Sequence, residues 1–382
     1  MYAATGAASV MTLQIAEKER LLDGISRIGN EIIDITVDDL LNTPLGPNEA
    51  IHEARKSCKR LRALVRLLRG QVDEERYQQA NFHFRDASRL MSPVRDSNVL
   101  VVTLDAVQKN FGVETGLRTF AGIRERLESH HQAQVEALLN EKKVNEIAAA
   151  LLEDGRCYFD NFALDTDGFG AIRFGIRRAY RRGRSSLERI QRKGGEPEDF
   201  HEWRKRVKYL WHQVEFLTPI WPDAMGQNAV ILHRLSDYLG DAHDLAVLAH
   251  WLAENEIYEA HQKDVAVLIP LVLRWMKAFE GTAIPLGCRL FAEDADAFTI
   301  RMEQYYETWR RHGALTRGPS FDAVLTGEAD GFVKDLDLLS TREAALLMDM
   351  PVAALRRAIR QGQMPAKRVG DTWVLHASDL SQ

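Results

Sequence analysis

Two stretches of this 382-residue chain concentrate arginine and lysine at helical spacing. Between Ile51 and Gly70, seven basic residues stand against one acidic residue. Between Ala171 and Lys208, thirteen stand against five. Arginine can donate two hydrogen bonds to a phosphate in a bidentate geometry, and lysine binds phosphate as a point charge. Such rows therefore suit a phosphate-rich anion. The chain has a net charge of −5, so this positive potential must be local.

The basic residues of the first stretch share one face of a helix. That face carries His52, Arg55, Lys56, Lys59 and Arg66, and an apolar row lies opposite. The basic row would span roughly 21 Å, enough for a linear phosphate chain to contact several cations at once. Binding of this kind releases counterions and should weaken with salt. The alternative is an ordinary solvated face, but the unmixed signs argue against it because neighbouring like charges repel.

The pattern recurs 149 residues later. The aligned basic positions are His52 and His201, Arg55 and Arg204, Lys56 and Lys205, and Lys59 and Lys208. Apolar positions match as well, and Asp96 corresponds to Asp244 at an offset of 148. An internal repeat of this length predicts two similar halves, and we expect their basic rows to converge on a single site.

Histidine and aspartate residues near these rows allow several interpretations. His52 and His201 could contact phosphate, make a structural hydrogen bond or bind a metal, and the surrounding cations disfavour the metal. Asp96, Asp241 and Asp244 could be general bases or metal ligands. We favour a role in which they pair with basic residues and orient them, because buried carboxylates need partners.

Composition and periodicity predict a soluble, mainly helical protein, with a first long helix over Thr12–Leu41 and separate helices near Asn228–Leu239 and Asp244–Asn255. The three cysteines are far apart and form no CxxC pair, so neither a disulfide framework nor a zinc site is expected. No stretch approaches the roughly 20 apolar residues of a membrane span, and no secretory signal is evident, which favours the cytoplasm. We expect a leader at 1–11, a helical domain at 12–313 with halves at about 12–150 and 165–313, a linker at 314–336 and a final unit at 337–382.

Several motifs of the helical region resemble those of the CHAD family, the conserved-histidine α-helical domains. They are HEARKSCKRLRALVRLL, MSPVRDSNVL, YRRGRSSLERI, DFHEWRKRVKYLWHQVEFL and LSDYLGDAHDLAVL. The resemblance implies an all-α fold of two pseudo-symmetric four-helix halves that binds inorganic polyphosphate in a basic central groove or pore. The contacts it implies are His52, Arg55, Lys56, Lys59, Arg62, Arg181, Arg182, Arg184, His201, Arg204, Lys205 and Lys208. Relatives often carry a triphosphatase domain with an ExExK strand, and this sequence has no such strand.

The final unit is predicted to contain helix, turn, helix and a short hairpin. It resembles the helix-turn-helix domains of the excisionase and MerR-like family, and this likeness covers the tail alone. The likeness implies DNA contacts from Arg356, Arg357 and Arg360 on the second helix and from Lys367 and Arg368 on the hairpin. A docking module that touches no DNA is the alternative, because six basic residues against five acidic ones give the unit little net charge.

The expected function is binding of inorganic polyphosphate, in association with polyphosphate granules or the nucleoid, together with DNA binding by the tail. No enzymatic activity, metal or cofactor is expected. One alternative is a polyphosphate or nucleotide phosphohydrolase that uses Asp96 and Asp244 with a divalent metal. Another is a transcription regulator whose helical domain senses phosphate. The sequence leaves the oligomeric state open.

Overall fold

A computed structural model describes residues 13–42, 46–112, 120–160, 166–253, 261–313, 338–348, 350–369 and 372–376. The chain divides into two compact units, residues 1–315 and 316–382. The expected leader at 1–11 and linker at 314–336 lie outside the described residues. Among the described helices, none is long and apolar enough to cross a membrane.

The larger unit is a bundle of helices with the same order of packing in each half. The first half contains α1 (Leu21–Asn42), α2 (Pro47–Leu67), α3 (Glu74–Leu90), α4 (Ser92–Phe111), α5 (Ala121–Val135) and α6 (Val144–Asp154). A π-helical turn (Glu136–Glu141) continues α5, and a 3₁₀ turn (Gly155–Tyr158) follows α6. The second half contains α7 (Phe169–Lys193), α8 (Pro197–Phe216), α9 (Pro222–Leu252), α10 (Gln262–Leu290) and α11 (Ala295–His312), with a 3₁₀ turn at Thr218–Ile220.

The helix pairs repeat between the halves. In the first half α2 packs against α1 and α3, α1 packs against α6, and α4 packs against α5. In the second half α8 packs against α7 and α9, α7 packs against α11, and α9 packs against α10. The single helix α9 therefore corresponds to α3 and α4 together, and α2 packs directly on α8 between the halves. The predicted all-α fold is confirmed.

Two apolar cores support this unit. The larger one joins α1, α2, α3, α6, α7, α8 and α11, and its largest fully buried side chain is the indole of Trp203. The smaller one joins α4, α5, the second part of α9 and α10. Burial of this apolar surface is the main favourable contribution to folding.

Two predicted helix boundaries were wrong. The first helix begins at Leu21 and not at Thr12, because the preceding residues form a loop tied to other elements. The Ile15 amide donates to the Phe216 carbonyl (3.2 Å), and Arg27 binds the Glu19 carboxylate (2.7 Å). Separate helices were predicted on either side of Gly240, but α9 runs through this residue without a break.

The described part of the smaller unit contains two short helices and a three-stranded antiparallel sheet. Its elements are β1 (Leu338–Ser340), α12 (Thr341–Leu347), α13 (Val352–Arg360), β2 (Lys367–Val369) and β3 (Thr372–His376). The strand order is β1-β3-β2, so the predicted hairpin is present and a further strand, β1, joins it. Ala344, Ala345, Leu355, Ile359 and Leu375 form the core.

Gly175 provides a test of the contact between α7 and α2. A Cβ atom at this position would overlap the backbone carbonyls of Leu67 and Arg66. We expect Gly175→Ala to lower the free energy of unfolding by about 1–3 kcal/mol, the usual cost of overpacking. In α10, the position that a Cβ atom of residue Gly281 would take is open space. Gly281→Ala should therefore raise the free energy of unfolding by about 0.5–1 kcal/mol. Chemical denaturation gives the free energy of unfolding of both variants. Equal changes in the two variants would contradict the close contact between α7 and α2.

Candidate functional site

The two basic helices α2 and α8 are positioned by their apolar faces. Each begins with a proline at its first turn, and Glu196 and Asp199 form a capping box at the start of α8. Cys58 and Leu61 of α2 and Trp203 of α8 are fully buried in the shared core. Because α2 and α8 pack against each other, their basic faces are held on the same side of the contact.

A cavity of about 540 Å³ opens where these basic faces meet. Five helices, α2, α3, α4, α8 and α9, line it. Its cations are Arg55, Lys59, Arg62, Arg85, Arg89, Arg204, Lys205 and Lys208. Asp96 and Asp244 are the carboxylates among its described lining residues, and His201, His243 and Tyr209 complete the polar wall. The wall therefore carries a large excess of positive charge, and we call it the basic cavity.

Neighbouring polar groups orient two of the arginines. Arg55 donates to the Ser88 carbonyl (3.0 Å) and lies 3.5 Å from Asp96. Arg62 donates to the side-chain oxygen of Asn81 (3.2 Å). Burial is the largest cause that lowers the pKa of both guanidinium groups. These contacts fix the directions of the guanidinium groups and still leave other N–H donors for a ligand.

Two lysines of the cavity, unlike these arginines, have no polar partner in the described structure that fixes them. Within the described chain, neither Lys59 nor Lys208 has an ion-pair partner. Burial lowers the pKa of Lys59 well below its usual range, and the charges of Lys208 and Arg204 add to this effect. Burial also lowers the pKa of Lys208, to about 8. Asp244 acts on both ammonium groups and Asp237 acts on Lys208, but neither carboxylate forms an ion pair with them, so the two buried charges are only partly compensated.

Arg204 lies against the backbone of α9. A Cβ atom on Gly240 would stand 3.4 Å from its guanidinium nitrogen Nη2, an ordinary van der Waals distance, so the guanidinium lies close to this part of α9. The Nε atom of Arg204 is buried without a hydrogen-bond partner. The nearby carboxyls are also perturbed: burial raises the pKa of Asp241 to about 6 and raises that of Asp244.

A second, narrower cavity of about 30 Å³ lies beyond Tyr209. Its cations are Arg66, Arg69, Arg178, Arg182 and Arg206, and Tyr77 and Tyr209 lie beside them. The Tyr209 ring lines both cavities. The Arg66 guanidinium lies 4.0 Å from its centroid, and that of Arg62 lies 5.6 Å away. We call this second group the arginine cluster.

The structure places the predicted contact residues in three settings. Seven of them line the basic cavity, namely Arg55, Lys59, Arg62, His201, Arg204, Lys205 and Lys208. Arg182 belongs to the arginine cluster. His52, Lys56, Arg181 and Arg184 line neither of these two cavities.

Those four residues make contacts of their own or face solvent. Lys56 pairs with Glu53 (3.2 Å), and Arg184 donates to the Glu293 carbonyl (2.7 Å). Arg181 is exposed on α7. His52 lies beside the basic row, where burial and nearby Arg95 lower its pKa to about 4.

Sequence reasoning missed Arg85 and Arg89 of α3, together with Tyr209 and His243. The two arginines stand four residues apart, so they share a helix face, and that spacing was the available signal. Nothing in the sequence showed that this face meets α8. His243 adjoins Asp244, but its contact with His201 depends on how α8 packs against α9.

This arrangement of paired helices agrees with the comparisons to known proteins. The family model described as the CHAD domain matches residues 36–253, more than half of the chain. The chain belongs to the CHAD domain family. A crystal structure of the CHAD domain from the plant Ricinus communis superposes with a TM-score of 0.51 at 15% sequence identity. The match covers 74% of this chain and 94% of that one, and it supports the fold of the CHAD domain. The search of curated proteins found no match.

Among the described residues of the CHAD domain, no three histidine, cysteine or acidic side chains are grouped so that they could hold a metal ion. Asp96 lies beside Arg55, and Asp244 lies among Arg204, Arg95 and Lys59. These carboxylates face cations, as the sequence interpretation expected for residues that orient a basic row.

The unpaired charge of Lys59 should oppose folding of the empty protein. Because its pKa is lowered in the folded state, the cost appears as the pH falls through the ordinary lysine pKa and grows until the pH reaches the lowered pKa of the folded state. We expect Lys59→Met to stabilise the ligand-free chain by about 1 kcal/mol, as removal of a costly functional residue often does. Thermal unfolding at pH 7.5 measures this.

Lys56→Met is the matched control, since Lys56 lies one helical turn away and pairs with Glu53. It should leave the melting temperature unchanged or lower it. A Lys59→Met variant less stable than the parent would contradict the electrostatic account.

Proposed function

We propose that this CHAD domain binds inorganic polyphosphate in the basic cavity and associates through it with polyphosphate granules or the nucleoid. One observation supports this above all others: eight cations from both repeats line a single cavity that contains two carboxylates among its described lining residues. Such an excess of positive charge is unfavourable until an anion occupies the cavity. A chain of phosphates supplies many negative charges on a narrow, flexible polymer.

The arginine cluster would extend this site. Tyr209 is shared by both cavities, so a chain leaving the basic cavity past this ring would meet Arg66 and Arg206 next. Arg178 and Arg182 lie on the far wall, on α7. A polymer that bridges both groups gains contacts without a second binding event, which favours long chains over short ones.

The cavity suits polyphosphate better than nucleic acid. Proteins that bind single strands usually stack bases on aromatic side chains and follow the backbone with cations. In the described wall of the basic cavity, Tyr209 is the one aromatic residue apart from two histidines, and arginines already lie over its ring. We therefore propose a ligand that offers phosphate without bases.

Two substitutions inside the cavity test this proposal. We expect the double variant Arg204→Gln with Lys208→Gln to weaken binding of long-chain polyphosphate at least tenfold, because each lost phosphate contact removes a charge-assisted bond. The slope of log affinity against log salt should fall by roughly one to two units. Fluorescence anisotropy with labelled polyphosphate at several salt concentrations gives both values.

The control removes the same charge elsewhere. Arg192→Gln with Lys193→Gln changes two exposed cations at the end of α7, outside both cavities. An equal loss of polyphosphate affinity in the two double variants would refute the site. Single-stranded DNA of equal charge should bind more weakly than polyphosphate, and tighter DNA binding would contradict the ligand.

We propose binding without hydrolysis. Its support is the position of Asp96 and Asp244 among cations, which compete with a divalent metal for the carboxylates. The competing proposal, a metal-dependent phosphohydrolase, predicts instead that the protein releases phosphate from polyphosphate. Phosphate release with Mg²⁺ or Mn²⁺ that disappears in Asp244→Asn would establish it and refute the binding-only function.

DNA binding by the smaller unit is a second proposal, carried by one feature of α13. Arg356, Arg357 and Arg360 are exposed, while Leu355 and Ile359 of the same helix are buried in the core of the unit. A helix anchored on one face with three arginines on the other resembles a recognition helix. Lys367 and Arg368 lie in β2, and their side chains are outside the described part of the structure. If polyphosphate altered this binding, the protein would act as a phosphate-responsive regulator.

Replacement of the three arginines tests the second proposal. Arg356→Ala, Arg357→Ala and Arg360→Ala together should abolish protection of duplex DNA in a footprinting or gel-shift assay while leaving polyphosphate affinity within twofold. Arg310→Ala with Arg311→Ala, at the end of α11, is the control for lost charge. DNA binding retained in the triple variant would show that α13 is not the DNA contact.

A further inference from the structure

Two histidines form a contact in the wall of the basic cavity. The Nδ1 atom of His201 on α8 lies 3.2 Å from the Nδ1 atom of His243 on α9, and the ring centroids are 4.4 Å apart. Two nitrogens at this distance must share one proton, with one ring donating and the other accepting. The neutral pair can accept one more proton on a free Nε2 atom and keep its hydrogen bond, which then becomes charge-assisted.

We propose that His201 and His243 act as one proton-accepting unit that gains a proton when polyphosphate occupies the basic cavity. This inference rests on the proposed function and adds His243 to the residues that respond to the ligand. It makes binding dependent on pH, with tighter binding in acid.

The charges around the pair explain why it is neutral when the cavity is empty. Burial is the largest cause that lowers the pKa of both imidazoles, and it brings that of His243 to about 3. Nearby cations are the next cause of the lowered pKa values. Those that face the pair are Lys59 from α2 and Arg204 and Lys205 from α8. Arg55 and Arg62 of α2, Arg85 and Arg89 of α3 and Lys208 of α8 line the same cavity and act in the same direction.

Carboxylates oppose the cations only in part. Those near the pair are Glu198 and Glu202 on α8, Asp241 and Asp244 on α9, Asp96 on α4 and Glu280 on α10. Glu202 is already paired with Lys205 and Arg206, Asp96 lies beside Arg55 and Arg95 of α4, and Glu280 binds Lys277 (2.7 Å). The third histidine nearby, His250, is exposed on α9.

A bound phosphate chain reverses this balance. Its negative charges offset those of Arg204, Lys205 and Lys59, so these cations no longer oppose protonation of the pair and the nearby phosphates favour the imidazolium. Phosphate groups inside a polyphosphate chain are strong acids, so the ligand keeps a nearly constant charge across the neutral range. The affinity must then rise as the pH falls from the value at which the bound pair titrates, by up to about tenfold per pH unit for one proton.

The experiment measures affinity for long-chain polyphosphate between pH 5.5 and 8 at constant ionic strength. We expect binding by the parent protein to tighten about tenfold from pH 7.5 to 5.5. In the double variant His201→Asn with His243→Asn neither side chain can take a proton, so most of this pH dependence should disappear. Calorimetry in two buffers of different ionisation enthalpy should show proton uptake by the parent and less by the variant.

Three controls separate the pair from other groups that titrate nearby. The pKa of Lys208 is about 8, that of Asp241 is about 6 and that of His52 is about 4, so Lys208→Met, Asp241→Asn and His52→Asn are included. A pH dependence that survives the double histidine variant but is lost in any of these controls would overturn the inference and assign the proton elsewhere. A parent protein that binds polyphosphate with constant affinity overturns the inference alone. Absence of binding at every pH would overturn the proposed function as well.

Discussion

Positive charge gathered in a partly buried cavity, with few carboxylates to balance it, is the constraint around which the larger unit is organised. Lys59 and Lys208 illustrate its cost, since burial lowers the pKa of both and neither has an ion-pair partner among the described residues. The apolar faces of α2 and α8 supply the compensating free energy. Trp203 and Cys58, both fully buried, hold these helices in place so that the cations cannot move apart.

The repeat made much of this arrangement predictable. Because His52 to Lys59 and His201 to Lys208 match in spacing and in apolar pattern, similar packing of both copies followed, and the all-α fold and the CHAD family were both reached from the sequence. A helical wheel assigns a face to each residue without knowledge of its neighbours. That was enough for Arg55, Arg204 and Lys208, which all line the basic cavity.

What escaped prediction depends on contacts between distant elements. Gly240 was taken as a helix break, whereas α9 is continuous there and packs against both α8 and α10. Arg182 and Arg184 are two residues apart on α7 and therefore point to opposite sides of it. Only the packing of α7 decides that one side faces the arginine cluster and the other the Glu293 carbonyl. The contact between His201 and His243 likewise exists because α8 packs on α9, and no local spacing reports it.

The repeated cations of the basic cavity have a statistical consequence for a polymeric ligand. The proposed ligand, inorganic polyphosphate, consists of identical units and reads the same from both ends, so a chain displaced by one unit would present the same oxygens to Arg55 or Arg204. A longer chain would therefore offer more equivalent registers, and its molar affinity would grow with length even after every cation is engaged. Such a chain would also be able to move through the cavity one unit at a time without complete release, since each new register would restore the contacts of the last.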